Sequence, residues 1–432
     1  MPICKSFLFL LLLSSILGFT SFLCCQATTP ESAACLAIIH ARIIDGTGVD
    51  PIEDGVVLIR GNRITAAAKT GEVHIPSDAE VIDARGRTLL PGLIDSHVHS
   101  AAPPSVRRRF LRAGYTSICD LGSPLKVIAL FEKEYDGSKA AARGFRAGPI
   151  ITAPGGLPDA VLHENLNFEV ADPEAARKGV TDLVQKGADV IKIYLEPSDE
   201  YPMVDLERVK AVVDAAHAEG ILVRAHVSKL AALDTALQGG VDVIEHVPKP
   251  GLNNAKLTER LSNSKDPMKD LYDIVVAPEY DEQLPRIVRK GAVLVPTLAR
   301  GLGRFYKNKN ATEAQRVIGD GVIEIVRRYH ALGGRIALGT DFNANTEEHI
   351  PGEMQFEEIK LLSAAGLEPL EIIKACTQEA ARVSGRGKDL GTIEPGKLAD
   401  LILVDGDPLA DLTALRRIAM VVKDGAVAYK PH

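Results

Sequence analysis

Eight short apolar runs, separated by segments of helical period, restrict what this chain can fold into. They are Leu93–His99, Tyr115–Leu121, Pro149–Thr152, Asp189–Leu195, Ile221–Val227, Val241–Val247, Ala292–Leu298 and Arg335–Asp341. Between them lie patterns such as PEAARKGVTDLVQKG and LERVKAVVDAAHAEG, whose apolar residues recur three and four apart. Strands alternating with helices predict an α/β fold, a parallel (β/α)8 TIM barrel over residues 91–389. The two chain ends read differently. LAIIHARIIDGTG, GVVLIRGNRITAAA and AEVIDARGRTLL near the start, and LADLILVDGD and IAMVVKDGAVAY near the end, look like short antiparallel strands with Gly and Asn turns. Neither end is large enough to stand alone, so residues 36–90 and 390–432 are expected to combine into one small β-sandwich domain. A chain of 432 residues that is 46% hydrophobic has ample material for both cores.

Residues 1–27 fall outside this scheme. Lys5 precedes the uncharged, apolar stretch Ser6–Leu23, and small residues follow at Cys25-Gln26-Ala27, the pattern of a signal peptide. The protein is therefore expected to be exported, periplasmic or secreted, and to be membrane-anchored only if this segment is retained or lipidated. Ser21-Phe22-Leu23 before Cys24 makes a poor lipidation site. Cleavage after Ala27 would leave Cys35, Cys119 and Cys376, an odd and widely spaced set that forms no disulfide framework; Cys119 and Cys376 read as buried small residues. A net charge of −7 gives no reason to bind nucleic acid. The richest basic run, Arg107, Arg108, Arg109 and Arg112, reads as a solvated helix face. The expected partner is a small-molecule substrate, and self-association into a homo-oligomer stays open. Two long connections, Pro248–Arg289 and Ala299–Asp320, are expected at the barrel mouth as lids or substrate walls, with Asn253–Asp270 equally readable as a disordered surface excursion.

Six side chains able to serve a metal centre fall near the C-terminal ends of these runs: His97 and His99 in LIDSHVHS, Lys192 in DVIKIYL, His226 in LVRAHV, His246 in VDVIEHV and Asp341 in IALGTDF. In a parallel barrel that end carries the chemistry. Side chains alternate along a strand, so His97 and His99 share a face and Val98 takes the other. Imidazole and carboxylate suit zinc and its neighbours. Each residue has a plainer reading alone, a core histidine for His226 or His246 and a helix N-cap for Asp341. Their coincidence is what argues for a metal site. A protonated Lys192 cannot ligate. Desolvated inside a barrel it would lose its proton more easily, and the neutral amine can add CO2 to give a carbamate able to bridge two cations. The alternative is a lysine that binds a substrate carboxylate or an oxyanion.

The motifs LLPGLIDSHVHS, DVIKIYL, VDVIEHV, IALGTDF and LGTIEPGKLADLILVDGDP together resemble the amidohydrolase superfamily, in the imidazolonepropionase-related branch that includes metal-dependent Xaa-Pro and Xaa-Arg dipeptidases. The resemblance implies two divalent metal ions, zinc by default. His97, His99 and Asp341 would hold one, His226 and His246 the other, and carbamylated Lys192 would bridge them. It implies a hydroxide bridging both metals as nucleophile and Asp341 as the catalytic proton carrier. Deaminases of this superfamily place a glutamate shortly after the fifth-strand histidine, whereas His226 is followed by Val227, Ser228 and Lys229. Imidazolonepropionase itself usually lacks the bridging lysine. The expected activity is hydrolysis of a C–N amide bond in a dipeptide or N-acyl amino acid. The alternative is a lactonase or phosphotriesterase using the same centre. Arg224, Tyr194 and His163 are the candidate substrate contacts, with Arg300, Arg304 and His349 on mouth-side loops; the alternatives are a barrel-carboxylate partner for Arg224, plain packing for Tyr194 and surface positions for His163 and His349, while His217 and His330 sit in helical patterns and read as structural.

Overall fold

The computed structural model describes residues 34–130, 140–250, 254–307 and 310–431. The expected leader, residues 1–27, lies outside them. Among the described residues no helix is long and apolar enough to cross a membrane.

The two chain ends share one eight-stranded sheet. Cys35–Ile43, Ile52–Arg60, Arg63–Lys69, Glu80–Asp83 and Arg87–Pro91 come from the first part, and Leu401–Asp405, Ile418–Lys423 and Ala426–Tyr429 from the last. The junction is antiparallel, with Leu403 opposite Leu89 and Leu401 opposite Pro91. Ile38, Ile43, Val57, Leu89, Leu403 and Val422 belong to its wholly apolar cluster. The last hairpin turns at Asp424-Gly425, both with positive φ, the geometry a two-residue turn between twisted strands requires. A Cβ on Gly425 would lie 1.9 Å from the Gly61 carbonyl oxygen, so only glycine fits. Arg143, from the third barrel strand, pairs with Asp400 and Asp424 and ties the barrel to this sheet.

The centre is a (β/α)8 barrel whose hydrogen-bonded ladders fall into two parallel sheets. One holds Phe342–Asn343, Leu93–His99, Tyr115–Asp120 and Arg143–Arg146. The other runs Asn167–Glu169, Ile150–Thr152, Ile191–Tyr194, Val223–His226, Val243–Glu245 and Val293–Val295. No continuous ladder joins the two. At one seam the chain passes directly from Arg146 to Ile150, and Asp189 N–H donates to the Arg146 carbonyl at 2.8 Å. At the other, a single bridge links Leu294 and Ile336, while Ser96 N–H and Asp341 N–H bond across to Leu338 O (3.1 Å) and His97 O (2.8 Å).

The covering helices start where the sequence supplies caps. Asp172 accepts from Ala175 N at 2.8 Å ahead of Pro173–Gln185, and Asp205 accepts from Arg208 N at 3.0 Å ahead of Leu206–Ala218. Ala176, Val180 and Leu183 form the buried stripe of the first, Val209, Val212 and Ala216 that of the second.

The structure departs from expectation in four places. The third strand begins at Arg143, ahead of Pro149, and Asn167–Glu169 adds a strand the sequence reading did not assign. Arg335–Asp341 is not a strand but an extended segment with one bridge, followed by the two-residue strand Phe342–Asn343. The polar connection after the sixth strand contains the helices Asn254–Ser262, Pro267–Val275 and Tyr280–Lys290, so Asn254–Asp270 is largely helical; Asn253 lies outside the described residues. Its polarity belongs to solvated helix faces and to a cap, since Asp266 accepts from Lys269 N at 3.1 Å. Finally, Arg107 is fully buried, donating to Ala102 O (3.1 Å) and Ala142 O (2.8 Å), and is not part of a solvated face. Cys35, Cys119 and Cys376 are free and buried.

Candidate metal centre

All six expected ligands line one cavity of about 230 Å³ at the C-terminal ends of the barrel strands. The first strand delivers two of them. With Val98 buried on the opposite face, His97 and His99 point the same way and their Nε2 atoms come within 3.3 Å. Asp341 Oδ1 lies 3.2 Å from His99 Nε2 and 3.7 Å from His97 Nε2. One ligand atom from each of these three residues falls within 4.8 Å of the other two. Asp341 is not a helix N-cap; the next helix begins at Glu353.

His226 and His246 approach through their rings. The His246 ring is 5.2 Å from that of His97 and 4.5 Å from that of His226. His246 Nδ1 sits 2.8 Å from Thr297 Oγ1. Tyr194 and His226 are register partners on adjacent strands, and their rings stack at 4.0 Å. His226 Nε2 lies 3.5 Å from Glu196 Oε2 at the rim. Four segments at this end of the barrel lead into non-glycine residues with left-handed backbone: Ser100 (φ 54°), His246 (φ 69°), Thr297 (φ 50°) and Asp341 (φ 58°). Such conformations cost on the order of 1 kcal/mol or more each, and this one layer of the barrel concentrates them.

Burial disfavours the charged form of His97, His226 and His246. Burial, reinforced by the Lys192 ammonium, pushes His97 down to about 3 despite the opposing pull of Glu245. Burial, then the neighbouring His226, holds His246 well below the imidazole range. His97 Nδ1 donates to Glu245 Oε2 at 2.7 Å, which leaves the Nε2 lone pair facing the cluster. Burial alone would raise Asp341. The hydrogen bond to His99 opposes burial, and Asp341 is held well below the carboxylate range.

Lys192 is 2% exposed, and its Nζ is a buried amine without a hydrogen-bond partner. Desolvation lowers it to about 8, with Glu245 opposing and Arg224 assisting. An unpaired ammonium at such a position is costly, so the position suits a neutral or modified amine. Three clustered ligand atoms with imidazoles around them match the donor set a divalent-metal centre needs.

The candidate substrate contacts separate. Tyr194 lines the cavity. Arg224 does not: it is fully buried, and its Nε donates to Glu245 Oε1 at 2.6 Å. It does face the interior, as alternation requires. Lying two residues before His226 puts it roughly 7 Å beneath the ligand layer, where it neutralises Glu245. His163 is exposed, and its neighbours Leu162 and Glu164 reach the cavity wall in its place. His217 pairs with Asp242 and His330 with Glu371, away from the cavity.

Sequence reasoning missed Glu245 and Asp95. Period-two alternation places Glu245 on the face opposite His246, yet its carboxylate holds His97; the left-handed backbone at His246 breaks the alternation. Asp95 is fully buried and accepts from Thr340 Oγ1 (2.6 Å), Gln355 Nε2 (2.7 Å) and the amides of His97 and Thr340 (3.1 Å each). It locks the first strand to the segment that presents Asp341. Burial raises its carboxyl to about 6 against these hydrogen bonds. A carboxylate inside an apolar run, LIDSH, was the available signal.

A sequence profile described as the amidohydrolase family matches residues 88–428. The chain is 24% identical over 435 residues to an imidazolonepropionase of Geobacillus sp. (strain WCH70), covering 88% of this chain and 91% of the relative. It is 26% identical over 394 residues to that of Methylobacterium nodulans, covering 84% and 91%. A crystal structure of a Xaa-Pro dipeptidase with bound methionine in the active site superposes with a TM-score of 0.70 at 25% identity, covering 92% of this chain and 100% of that one.

Proposed function

This chain belongs to the amidohydrolase family and is a hydrolase acting on carbon–nitrogen bonds, and from that premise we propose that it cleaves the amide of a dipeptide or N-acyl amino acid at a two-metal centre. The observation that carries the reading is Lys192 Nζ, buried without a partner among four imidazoles and a carboxylate. His97, His99 and Asp341 would hold one metal, His226 and His246 the second, and carbamylated Lys192 both, with zinc the default ion. When bound, the metals would polarise the scissile carbonyl and acidify a water.

The protein's own groups do the rest. Glu245 fixes the His97 tautomer from one side while Arg224 neutralises Glu245 from below. Asp95 holds the strand that carries both first-strand histidines. Asp341 would carry the proton from water to the leaving nitrogen. Among the relatives, the buried amine favours the Xaa-Pro dipeptidase parallel over the imidazolonepropionase one.

We extend the proposal to location: residues 1–27 direct export, which N-terminal sequencing of the processed protein would check. For the chemistry, chelation should abolish hydrolysis across a library of dipeptides and N-acyl amino acids, and Zn²⁺ should restore it. Unchanged turnover in a His97→Ala, His99→Ala double variant would sink the proposal.

A further inference from the structure

Two carboxylates approach the imidazole cluster from opposite sides. Beneath it, Glu245 takes the Nδ1 hydrogen of His97. At the rim, His226 turns its other nitrogen outward: Nε2 lies 3.5 Å from Glu196 Oε2, the outer limit of a hydrogen bond. A neutral imidazole has one N–H and one lone pair, and an ionised carboxylate only accepts. Glu196 therefore favours the tautomer with hydrogen on Nε2, which leaves the lone pair on Nδ1. The Tyr194 ring lies 4.0 Å from that of His226 and within 11° of parallel, so the imidazole cannot flip without displacing it.

Glu196 is itself held. Lys229 Nζ donates to its Oε1 at 2.9 Å and to the Pro197 carbonyl at 2.8 Å, and Ser228 Oγ donates to its Oε2. Pro197 restricts the Glu196 backbone to extended conformations. The segment that supplies Ser228 and Lys229 is pinned in turn to the next loop. Lys249 N–H donates to Ser228 O and Leu230 N–H to Lys249 O, both at 2.8 Å. The ends of the fourth, fifth and sixth strands thus form one tied unit around a single imidazole. Stability gives little reason for the tie, because the Lys229 side chain is 41% exposed and an ion pair so hydrated contributes little.

We propose that Glu196, clamped by Ser228 and Lys229, is a positioning residue that fixes His226 with its hydrogen on Nε2 and its Nδ1 lone pair free for the second metal. This rests on the two-metal reading above and deepens it. The two strand ends present opposite tautomers, His97 set by Glu245 from beneath and His226 set by Glu196 from the rim. A carboxylate on the far nitrogen also makes the metal-facing one more basic.

The decisive variant is Glu196→Gln, which keeps the shape. Lys229 would keep the amide oxygen, so the NH2 group would face His226 Nε2 and drive the hydrogen to Nδ1. Histidine 15N spectra of metal-free protein, with His226 assigned by difference from a His226→Gln variant, should show the Nε2–H form in wild type and the Nδ1–H form in Glu196→Gln. Zn²⁺ titration against a competing chelator should show the second ion weakened roughly 10–100-fold in Glu196→Gln and the first unchanged. Lys229→Met breaks the tie between the loops but leaves the carboxylate on His226. It should keep the wild-type spectrum and cost the second ion less than about threefold. A wild-type spectrum in Glu196→Gln, or equal losses in Glu196→Gln and Lys229→Met, reduces Glu196 to a link between loops and overturns the proposal while the two-metal reading stands. A single Zn²⁺ per wild-type chain overturns that reading and the second-metal role with it, and the metal-free spectra still decide whether Glu196 sets the tautomer.

Discussion

The β-sheet built from the chain ends and the ligand layer of the barrel are assembled on opposite terms. In the sheet, Leu89, Leu401, Leu403 and Val422 form an apolar cluster, and the buried Lys423 beside it is paired with Asp424 at 2.9 Å. In the ligand layer and just beneath it, Lys192, Arg224 and Glu245 are 2%, 0% and 0% exposed, and four segments lead into left-handed residues. The first arrangement gains from burial at roughly 25 cal/mol per Å² of apolar surface. The second forgoes part of that gain, because buried charges and strained backbone persist only where neighbours over-determine them. The contrast separates the part that holds the chain together from the part poised to bind cations.

The contrast breaks most sharply if ligand removal does what core truncation should do. Lys192→Met should lower kcat/KM on the best substrate by on the order of 10³-fold or more, since the metals contribute several kcal/mol, while the metal-free variant should melt no lower than wild type. A lower melting temperature in the metal-free comparison would mean that the amine stabilises the fold. Next in size, Glu245→Gln leaves Arg224 buried without its counter-ion. It should cost about 3–5 kcal/mol in denaturant unfolding and weaken metal binding by roughly 10–100-fold. Loss of affinity with unchanged stability would show that Arg224 finds another partner.

In the sheet, Leu403→Ala should cost about 2–4 kcal/mol yet leave kcat/KM of the folded protein at wild-type level. A parallel loss of activity would show that the two regions are coupled. The smallest effect is in pH. Lys192 has a folded pKa of about 8 against a reference of 10.5, so the unfolded chain binds more protons between those values. Its penalty is present in full below about pH 8 and is relieved as pH rises towards 10.5. Metal-free wild type should therefore gain up to roughly 3 kcal/mol relative to Lys192→Met over that window, read from paired urea titrations. A constant difference across the window would contradict the buried, partnerless amine.

Much of this was legible in the sequence. Eight apolar runs announced themselves because strands covered on both sides need them. The eighth, Arg335–Asp341, forms no ladder. Its backbone crosses against the first strand and the seventh so closely that a Cβ on Gly339 would lie 2.5 Å from Val295 Cγ1 and 2.7 Å from His97 Cβ, and it pairs through isolated bonds with no ladder. The helices after Asn253 were masked by polarity, although Asp266-Pro267 carried a cap followed by a first-turn proline. His97 and His99 were legible from alternation alone. Glu245 was hidden because His246 leaves the extended region. For Arg224 the reading as a partner of a barrel carboxylate holds and the substrate-contact reading does not, because alternation gives a residue's face but not its depth.

The amine in the cavity wall is also where the two-cation reading is most exposed to a single observation. Protein loaded with zinc in 13C-labelled bicarbonate should bind two metal ions per chain and show one carbamate carbon resonance, and Lys192→Met should lose the resonance and at least one of the ions. A wild-type protein that binds a single ion and carries no labelled carbon contradicts the two-metal hydrolase.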